Sequence, residues 1–174
     1  MSGTLLSPPL LAMFDRKRID FWAEKGRAKY ADEAGSPFMM LPFVAGRDVM
    51  EIGPGEGDGR QRKLIEPCAR SYIAVDICGR PGAWVIPHYG HHFGVQVDLV
   101  FFWCVLHHVP SAERAAFAGF CARHLRPGGL LWFNAPVHAE AGCEDGMGTT
   151  AHPDGEVVAR GGSGKDIYLM RRVS

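Results

Sequence analysis

The sequence predicts an α/β fold in which a doubly wound, mostly parallel sheet lies between two layers of helices and ends in an antiparallel hairpin. A β-rich run over residues 48–52 is followed by a short helical segment and a second β-rich run over 71–77, which is the order of a parallel β-α-β unit. Residues 98–110 form a near-continuous apolar run, the pattern of a strand buried on both faces. Two further β-rich runs within 156–170 flank a glycine-rich turn at 161–164 and predict the closing hairpin.

Length and charge limit the classes of function. The chain has 174 residues, which suits one domain with its own core. We expect that single domain to consist of an N-terminal helical cap over residues 1–44 and a sheet-containing core over 45–174. Lysine plus arginine and aspartate plus glutamate both number 19, so no overall field favours nucleic acid or an anionic membrane. We therefore expect no nucleic-acid partner.

The cysteines and the apolar stretches predict a compartment. Five cysteines are scattered without a Cys-x-x-Cys pair, which favours reduced thiols and the cytoplasm. No stretch approaches the roughly 20 apolar residues of a membrane span. The first apolar stretch precedes a basic one, the reverse of a signal peptide. We expect a cytoplasmic chain without a membrane span.

The N-terminal part predicts one helix and one linker. From about Phe14 to Ala34, apolar residues recur at the spacing that puts them on one helical face, and Gly35-Ser36-Pro37 is expected to end this helix. Arg16, Lys17 and Arg18 at its start are typical of a solvated face, with contact to an anionic substrate group as the alternative. Residues 38–43 are expected to form an apolar linker that lies in the core, with a wall of the substrate pocket as the alternative.

The strand over 48–52 breaks abruptly into glycines at 53, 55 and 57, with Pro54 between the first two. Glycine tolerates positive φ, and its missing β-carbon lets a ligand approach the main chain. Glu51 adds a carboxylate just before this turn. The alternative is a tight turn into the helix near 60–65 without any ligand.

The second strand ends in Asp76, where nucleoside-binding α/β folds place an acid that accepts hydrogen bonds from ribose hydroxyls. Glycine and proline crowd residues 77–97, so we expect the third β-α unit to be shortened, with 83–86 as its strand and its helix missing or vestigial. His88, His91 and His92 have no carboxylate or thiol beside them in the sequence, so we interpret them as a polar loop and predict no metal site.

The fourth strand is expected to run through the apolar stretch 98–110 and to carry His107 and His108 at its end. Ser111 should cap the next helix, in which His124 lies on the buried face. A turn over 126–129 and a central strand over 130–134 follow. Residues 136–153 are rich in glycine and small polar residues, which is typical of a lid or of disorder.

Three stretches together resemble the class I S-adenosylmethionine-dependent methyltransferases. They are Glu51-x-Gly53-x-Gly55-x-Gly57, Asp76 after the second strand, and the run from Asp98 through Val105-Leu106-His107-His108-Val109-Pro110 to Leu125-Arg126-Pro127-Gly128-Gly129-Leu130. The resemblance covers about residues 45–135 and implies a Rossmann-like core. A nicotinamide enzyme is the competing interpretation, but its G-x-G-x-x-G fingerprint needs glycine where Asp58 stands.

The resemblance implies that the cofactor is S-adenosyl-L-methionine and the product S-adenosyl-L-homocysteine. It places the glycine turn under the methionine portion, with Glu51 supporting the turn or the amino group and Asp76 holding the ribose hydroxyls. No acid occurs between Asp76 and Asp98, so we expect the adenine to be held by the backbone and by side chains such as Trp84, His88 or Tyr89, with poor affinity as the alternative. The cofactor-binding residues implied are Glu51, Gly53, Pro54, Gly55, Gly57, Asp76, Ile77, Trp103 and Cys104.

The implied activity is methyl transfer to a small-molecule acceptor through an O-, N- or C-nucleophile. His107 or His108 is placed to act as a general base, and His108 is the preferred candidate. The alternative is that both histidines pack or cap the following helix. The pocket between the N-terminal helix, the 38–43 linker and the 136–153 loop would be rich in Phe, Met and Trp, which favours an apolar or aromatic metabolite.

A second hypothesis is an S-adenosylmethionine-binding protein that is inactive alone or needs a partner to complete its substrate site. The small size and the shortened third unit motivate it, and a homodimer is left open. Methylation of nucleic acid is disfavoured, because Trp103-Cys104-Val105-Leu106 stands where an Asn/Asp-Pro-Pro-Tyr/Phe/Trp signature would follow the fourth strand.

Overall fold

The structure is a computed structural model that describes residues 14–25, 37–55, 60–103, 105–136, 155–161 and 165–172. In chain order the elements are α1 (Arg16–Lys25), α2 (Pro37–Val44), β1 (Asp48–Ile52), α3 (Arg60–Ile65), β2 (Ser71–Asp76), β3 (Ala83–Val85), β4 (Val97–Phe102), α4 (Arg114–His124), β5 (Leu125–Pro136), β6 (Gly155–Gly161) and β7 (Lys165–Arg172). Two short 3-10 turns, Leu106–His108 and Ser111–Glu113, lie between β4 and α4.

The strands form one sheet in the order β3-β2-β1-β4-β5-β7-β6. The pairs β2 with β3, β1 with β2, β1 with β4 and β4 with β5 are parallel. Strand β7 is antiparallel to both β5 and β6. The predicted doubly wound sheet with a C-terminal hairpin is confirmed. Chain order reverses beside β1, and ligands of open α/β sheets bind at such a switch point, beyond the carboxyl ends of the strands.

Both faces of the sheet are buried. On one face, Met50 and Ile52 of β1 pack in a cluster with Phe117 and Phe120 of α4. On the other face, Val49 packs with residues of α2 and α3, among them Met40, Val44 and Ile65. Successive strand residues point to opposite faces, so Glu51 lies on the same face as Val49. The arrangement is the predicted three-layer α/β/α sandwich.

The expected linker over 38–43 is wrong, because these residues lie in helix α2. Pro37 begins this helix. The first N–H groups of a helix have no partner within it, so proline, which lacks an N–H, loses no helical hydrogen bond at this position. Its residues are apolar almost throughout, so the sequence shows no helical periodicity there. Pro42 inside the helix also favours a break in the helix when only the sequence is considered. Helix α1 begins at Arg16, close to the predicted start, and residues 26–36 at its predicted end lie outside the described ones.

The third β-α unit is shortened, as predicted. Parallel strands usually need a connection of a dozen or more residues, but only residues 77–82 separate β2 from β3. The short loop is sufficient because β3 pairs only with the last residues of β2. Its first residue, Ala83, pairs with Ala74 near the end of that strand. Residues 86–96, all described, contain no helix.

Strand β4 ends at Phe102, which corrects the expectation of a strand through Pro110. His107 and His108 lie instead on the 3-10 turn Leu106–His108, which Val105 enters with helical backbone angles. A continuous apolar run does not distinguish a strand from a buried turn, which explains the error. The expected cap at Ser111 is also displaced, because Ser111 starts a second 3-10 turn and α4 begins only at Arg114.

Strand β5 starts at Leu125, earlier than predicted. Its register jumps from Leu125 opposite Val97 to Leu130 opposite Leu99, so residues 126–129 loop out of the sheet as expected. Gly128 has a φ of 75° within this loop, a value that favours glycine. The loop lies at the amino-terminal end of β4, away from the switch point.

In the part of the chain that the structure describes, no helix is both long enough and apolar enough to cross a membrane. The cytoplasmic compartment and the boundary at residue 44 stay predictions. The loop over 136–153 falls almost wholly outside the described residues.

Candidate functional site

The glycine turn lies directly beyond the carboxyl end of β1. Gly53 and Gly55 have φ values of 69° and 68°, in the left-handed region that favours glycine. The Gly53 N–H donates to the Val75 carbonyl at 2.9 Å, which ties the turn to β2. A β-carbon at Gly53 would lie 2.6 Å from Val105 Cγ2, whereas at Gly55 it would meet none of the described residues within 4 Å. The turn is therefore packed from below at Gly53 and, among the described residues, open at Gly55. Gly57 lies outside the described residues.

Glu51 is a buried carboxyl group just below this turn. It is 1% exposed, and the Tyr72 hydroxyl donates a hydrogen bond to its Oε2 atom. Burial raises the pKa of Glu51 from 4.5 to about 8; the Arg62 charge lowers this pKa and the Asp76 charge raises it further. A carboxyl group with this pKa holds its proton at neutral pH. A positive charge close to Glu51 would favour the loss of this proton.

Asp76 closes β2 on the adjacent strand and is 8% exposed. Its Oδ1 atom accepts a hydrogen bond from the Cys78 N–H at 2.9 Å, and Arg80 Nε lies 3.9 Å from its Oδ2 atom. Burial raises the pKa of Asp76, while the Cys78 N–H and the Arg80 charge lower it. Ile77 packs against the core cluster beside it. This arrangement keeps a carboxyl group at the place where the sequence predicts ribose binding.

The end of β4 faces the glycine turn. Trp103 follows the strand, with its ring centroid 6.3 Å from that of Trp132, and Val105 packs against Gly53. His108 is half-buried on the 3-10 turn, and its N–H donates to the Val105 carbonyl at 2.9 Å. Cys104 and the side chain of His107 are outside the described part of the structure. The residues that the structure brings to this edge of the sheet are Glu51, Gly53, Pro54, Gly55, Asp76, Ile77, Trp103 and His108.

Helix α1 contacts the ends of β2 and β3, a relationship that the sequence did not reveal. The Cys78 thiol donates to the Ile19 carbonyl at 3.3 Å, and the Phe14 N–H donates to the Pro87 carbonyl at 3.3 Å. Arg18 forms an ion pair with Glu113 at 2.6 Å. The expectation of a solvated basic face is therefore wrong for Arg18, whose side chain is 19% exposed. No sequence signal connects these residues, because they are distant in the chain.

The three side chains considered for adenine have different environments. Tyr89 is 5% exposed and its ring packs between Phe14 and Phe117, so it belongs to the core. Trp84 is 44% exposed on the edge strand β3. His88 is half-buried, and its Nδ1 atom accepts a hydrogen bond from Gly90 at 3.1 Å. Trp84 and His88 are thus accessible, whereas Tyr89 is not.

The histidines near α4 contribute to packing. His124 is fully buried; its Nε2 atom accepts from the Phe93 N–H at 3.2 Å, and its Nδ1–H donates to the Phe120 carbonyl at 2.9 Å. The prediction of a packed core histidine is confirmed. Among the described residues, no group of three or more His, Cys, Asp or Glu side chains is arranged to hold a metal ion.

Known proteins provide the context for this site. No protein-family model matches the chain. It is 29% identical over 153 residues to proteins from two strains of Mycobacterium tuberculosis that are named "Probable S-adenosylmethionine-dependent methyltransferase", with 78% of this chain and 52% of each relative covered. The chain thus spans about half the length of these curated relatives.

Solved methyltransferase structures share the fold. The N-methyltransferase NodS from Bradyrhizobium japonicum with S-adenosyl-L-homocysteine superposes with a TM-score of 0.70 at 13% identity, covering 90% of this chain and 99% of that one. The 1,6-didemethyltoxoflavin-N1-methyltransferase of Burkholderia thailandensis gives a TM-score of 0.71 at 16% identity, with coverages of 97% and 94%. In sequence the chain is therefore similar to S-adenosylmethionine-dependent methyltransferases and in fold to solved methyltransferase structures, which confirms the resemblance indicated by its motifs.

Proposed function

We propose that the chain binds S-adenosyl-L-methionine and transfers its methyl group to a small-molecule acceptor. The observation that carries this proposal is the glycine turn between two buried carboxyl groups, Glu51 and Asp76, at the switch point of the sheet. The named activity of the curated relatives and the bound S-adenosyl-L-homocysteine of the structural neighbours support it.

The residues present suit this cofactor chemically. At Gly55 no described residue lies within 4 Å of the place of a β-carbon, so a ligand can approach the main chain from the described side. Glu51 offers a carboxyl group to a cationic amino group, and Asp76 offers one to hydroxyl donors. When bound, the cofactor would supply an electrophilic methyl group on a positively charged sulfur.

In this proposal each strand end has a separate role. Gly53, Pro54, Gly55 and Gly57 hold the methionine portion, and Glu51 supports its amino group. Asp76 and Ile77 hold the ribose, while Trp103 and Cys104 lie beside the methionine portion at the end of β4. Trp84 and His88 are the accessible candidates for the adenine. The catalytic candidates are His108, which is preferred, and His107.

The protein's main contribution to catalysis is to position the reactants. Methyl transfer is an in-line displacement, and holding the nucleophile, the methyl carbon and the sulfur collinear can contribute about 7–11 kcal/mol. A bound cofactor would supply the methyl group and keep the electron pair of the carbon–sulfur bond on its sulfur, and the acceptor would supply the pair for the new bond. His108 would take the proton that an O–H or N–H acceptor loses.

The acceptor class is part of the proposal. The neighbour from Burkholderia thailandensis is a 1,6-didemethyltoxoflavin-N1-methyltransferase with 1,6-didemethyltoxoflavin bound, and NodS is named an N-methyltransferase. We propose a small apolar or aromatic metabolite as the acceptor, and its nucleophilic atom is left open. Calorimetry with S-adenosyl-L-homocysteine, followed by mass spectrometry of reactions with an acceptor panel, tests the proposal. Failure of the wild-type chain to bind S-adenosyl-L-homocysteine would overturn it.

A second candidate is a cofactor-binding protein that is inactive alone. Its third β-α unit is shortened, which favours a substrate site completed by a partner. Binding of the cofactor without turnover on any acceptor would support this candidate. Light scattering on the same samples reports whether a second copy of the chain is such a partner.

A further inference from the structure

Tyr72 on β2 reaches the carboxyl group of Glu51 on β1. Tyr72 pairs with Val49, two residues before Glu51, so its side chain lies on the same face and diagonally beside Glu51. Ala74 pairs directly with Glu51, and its small side chain leaves room for the Tyr72 ring to lean along the strand. The hydroxyl group thus meets Glu51 Oε2 in the interior.

The Tyr72 ring is held from its outer side by Arg62 of α3. The guanidinium carbon of Arg62 lies 5.5 Å from the ring centroid, a cation–π distance. Arg62 Nε donates to Glu66 Oε2 at 2.8 Å, and a β-carbon at Gly82 would lie 2.7 Å from Arg62 Nη1. Arg62 is therefore fixed between α3 and the start of β3, and it restricts movement of the ring away from Glu51.

The surroundings of Glu51 combine apolar neighbours with few charges. Its strand partners are Ala74 on β2 and Phe101 on β4. The charged groups that act on it from the described elements are Arg62 on α3 and Asp76 on β2, which have opposite effects on its ionisation. In such a site a hydroxyl donor favours the ionised carboxylate, whereas burial favours the neutral acid.

We propose that Tyr72 is a positioning residue that holds Glu51 toward the glycine turn, and that the cationic amino end of the cofactor binds there with release of the Glu51 proton to solvent. This inference rests on the proposed function. The proton leaves the carboxyl group, the resulting carboxylate faces the ammonium group, and the Tyr72 hydroxyl continues to donate to the carboxylate. Tyr72 touches neither cofactor nor acceptor in this arrangement.

The direction of the pH dependence follows from burial. With the pKa of Glu51 raised to about 8, the ligand-free site is mostly neutral at pH 7. Affinity for a cationic ligand should therefore rise as the pH increases toward about 8 and then level off. Loss of the Tyr72 hydroxyl removes a group that favours the carboxylate, so the Tyr72→Phe variant should need a higher pH for the same affinity.

The test is calorimetric titration of the full chain with S-adenosyl-L-homocysteine from about pH 6 to about pH 9, in two buffers of different ionisation enthalpy. The wild type should release nearly one proton at pH 7, and Glu51→Gln should release almost none. Tyr72→Phe should bind about tenfold more weakly at pH 7 and recover most of this loss at high pH. The amino group of the ligand also titrates, and it does so with every variant. The difference in proton release between the wild type and Glu51→Gln therefore reports on Glu51 alone. Tyr168→Phe on β7, three strands from β1, is the matched control and should behave as wild type.

Equal proton release by the wild type and Glu51→Gln would overturn the inference while leaving cofactor binding intact. A pH profile of binding that is unchanged in Tyr72→Phe would overturn the role of Tyr72 as a positioning residue. If the wild type fails to bind at any pH, the proposed function fails and this inference with it. If Tyr72→Phe does not fold, infrared difference spectra of the wild type and Glu51→Gln test the release of the Glu51 proton. The wild type should show the C=O band of a protonated carboxyl group, and ligand binding should remove this band. A wild type without that band would contradict the inference.

Discussion

Arg18 of α1 and Glu113, the last residue before α4, form an ion pair at 2.6 Å, although 95 positions separate them in the chain. The contact fastens the N-terminal helix beside the carboxyl ends of β2 and β3. Arg18 also approaches the Tyr89 hydroxyl at 3.4 Å and the Phe14 ring at 5.3 Å. One side chain therefore connects the N-terminal segment, the loop after β3 and the start of α4.

We expect Arg18→Ala to loosen α1, because both the ion pair and the packing of the long side chain are lost. Stability should fall by about 1 kcal/mol, and hydrogen exchange in residues 14–25 should become faster. Arg16→Ala is the control, since within the described part of the chain Arg16 pairs with Asp20 in solvent, with side chains 84% and 59% exposed. Equal exchange in both variants would contradict a role for Arg18 in fastening the helix.

The two glycines of the turn should differ in their tolerance of a side chain. Gly53→Ala combines positive φ with a β-carbon 2.6 Å from Val105 Cγ2, so it should destabilise the fold by at least about 2 kcal/mol. Gly55→Ala meets none of the described residues within 4 Å and should cost about 1 kcal/mol through backbone strain. Urea unfolding measures both, with Gly79→Ala as a control without clash or positive φ. A Gly53→Ala variant as stable as Gly79→Ala would refute the packing against Val105.

His108→Ala should leave S-adenosyl-L-homocysteine affinity nearly intact and reduce turnover at least about tenfold, as expected for loss of a general base. Steady-state kinetics on an acceptor identified by the panel provides the measurement. His92→Ala, an exposed histidine in the loop before β4, should retain full turnover. An unchanged rate in His108→Ala would remove this histidine from the proposed mechanism.

Glu51→Gln should raise stability while weakening cofactor binding. A buried carboxyl group whose pKa rises from 4.5 to about 8 on folding contributes stability at low pH that is lost as the pH rises between these values. The amide cannot ionise, so the variant should have a higher melting temperature than the wild type at about pH 8 and a similar one at about pH 4. Thermal unfolding at these two pH values is the measurement. A lower melting temperature at the higher pH would indicate that the carboxylate is structurally required.

At the opposite edge of the sheet, Asp48 and Asp98 should control acid stability. Arg70 and Ser71 donate hydrogen bonds to Asp48 and hold its pKa far below the usual 3.8, with Arg126 contributing further. A depressed pKa contributes stability that is present above the usual value and is lost as the pH falls below it. Asp48→Asn should therefore be less stable than wild type at neutral pH and should lose less stability below about pH 4. Parallel acid titrations by circular dichroism compare the two slopes.

Local sequence patterns determined the central unit of this protein. Strand β1 and helix α3 have the bounds that the sequence predicts, because an apolar run, a glycine turn and Pro67 shortly after the helix are all local signals. The positions of Glu51 and Asp76 at adjacent strand ends also follow from the motif, since parallel strands share one edge. The shortened third unit was visible as a crowd of glycine and proline residues.

Tertiary structure decided what local patterns do not encode. Helix α2 is apolar around most of its surface, so its periodicity is hidden, and the 3-10 turn with His108 continues the apolar run of β4. The Tyr72 contact to Glu51 depends on the register between β1 and β2, and the Arg18 contact to Glu113 depends on where α1 docks. Such contacts form only when distant segments are packed together, because their energy comes from shared burial and from charges brought close, neither of which exists in the isolated segments.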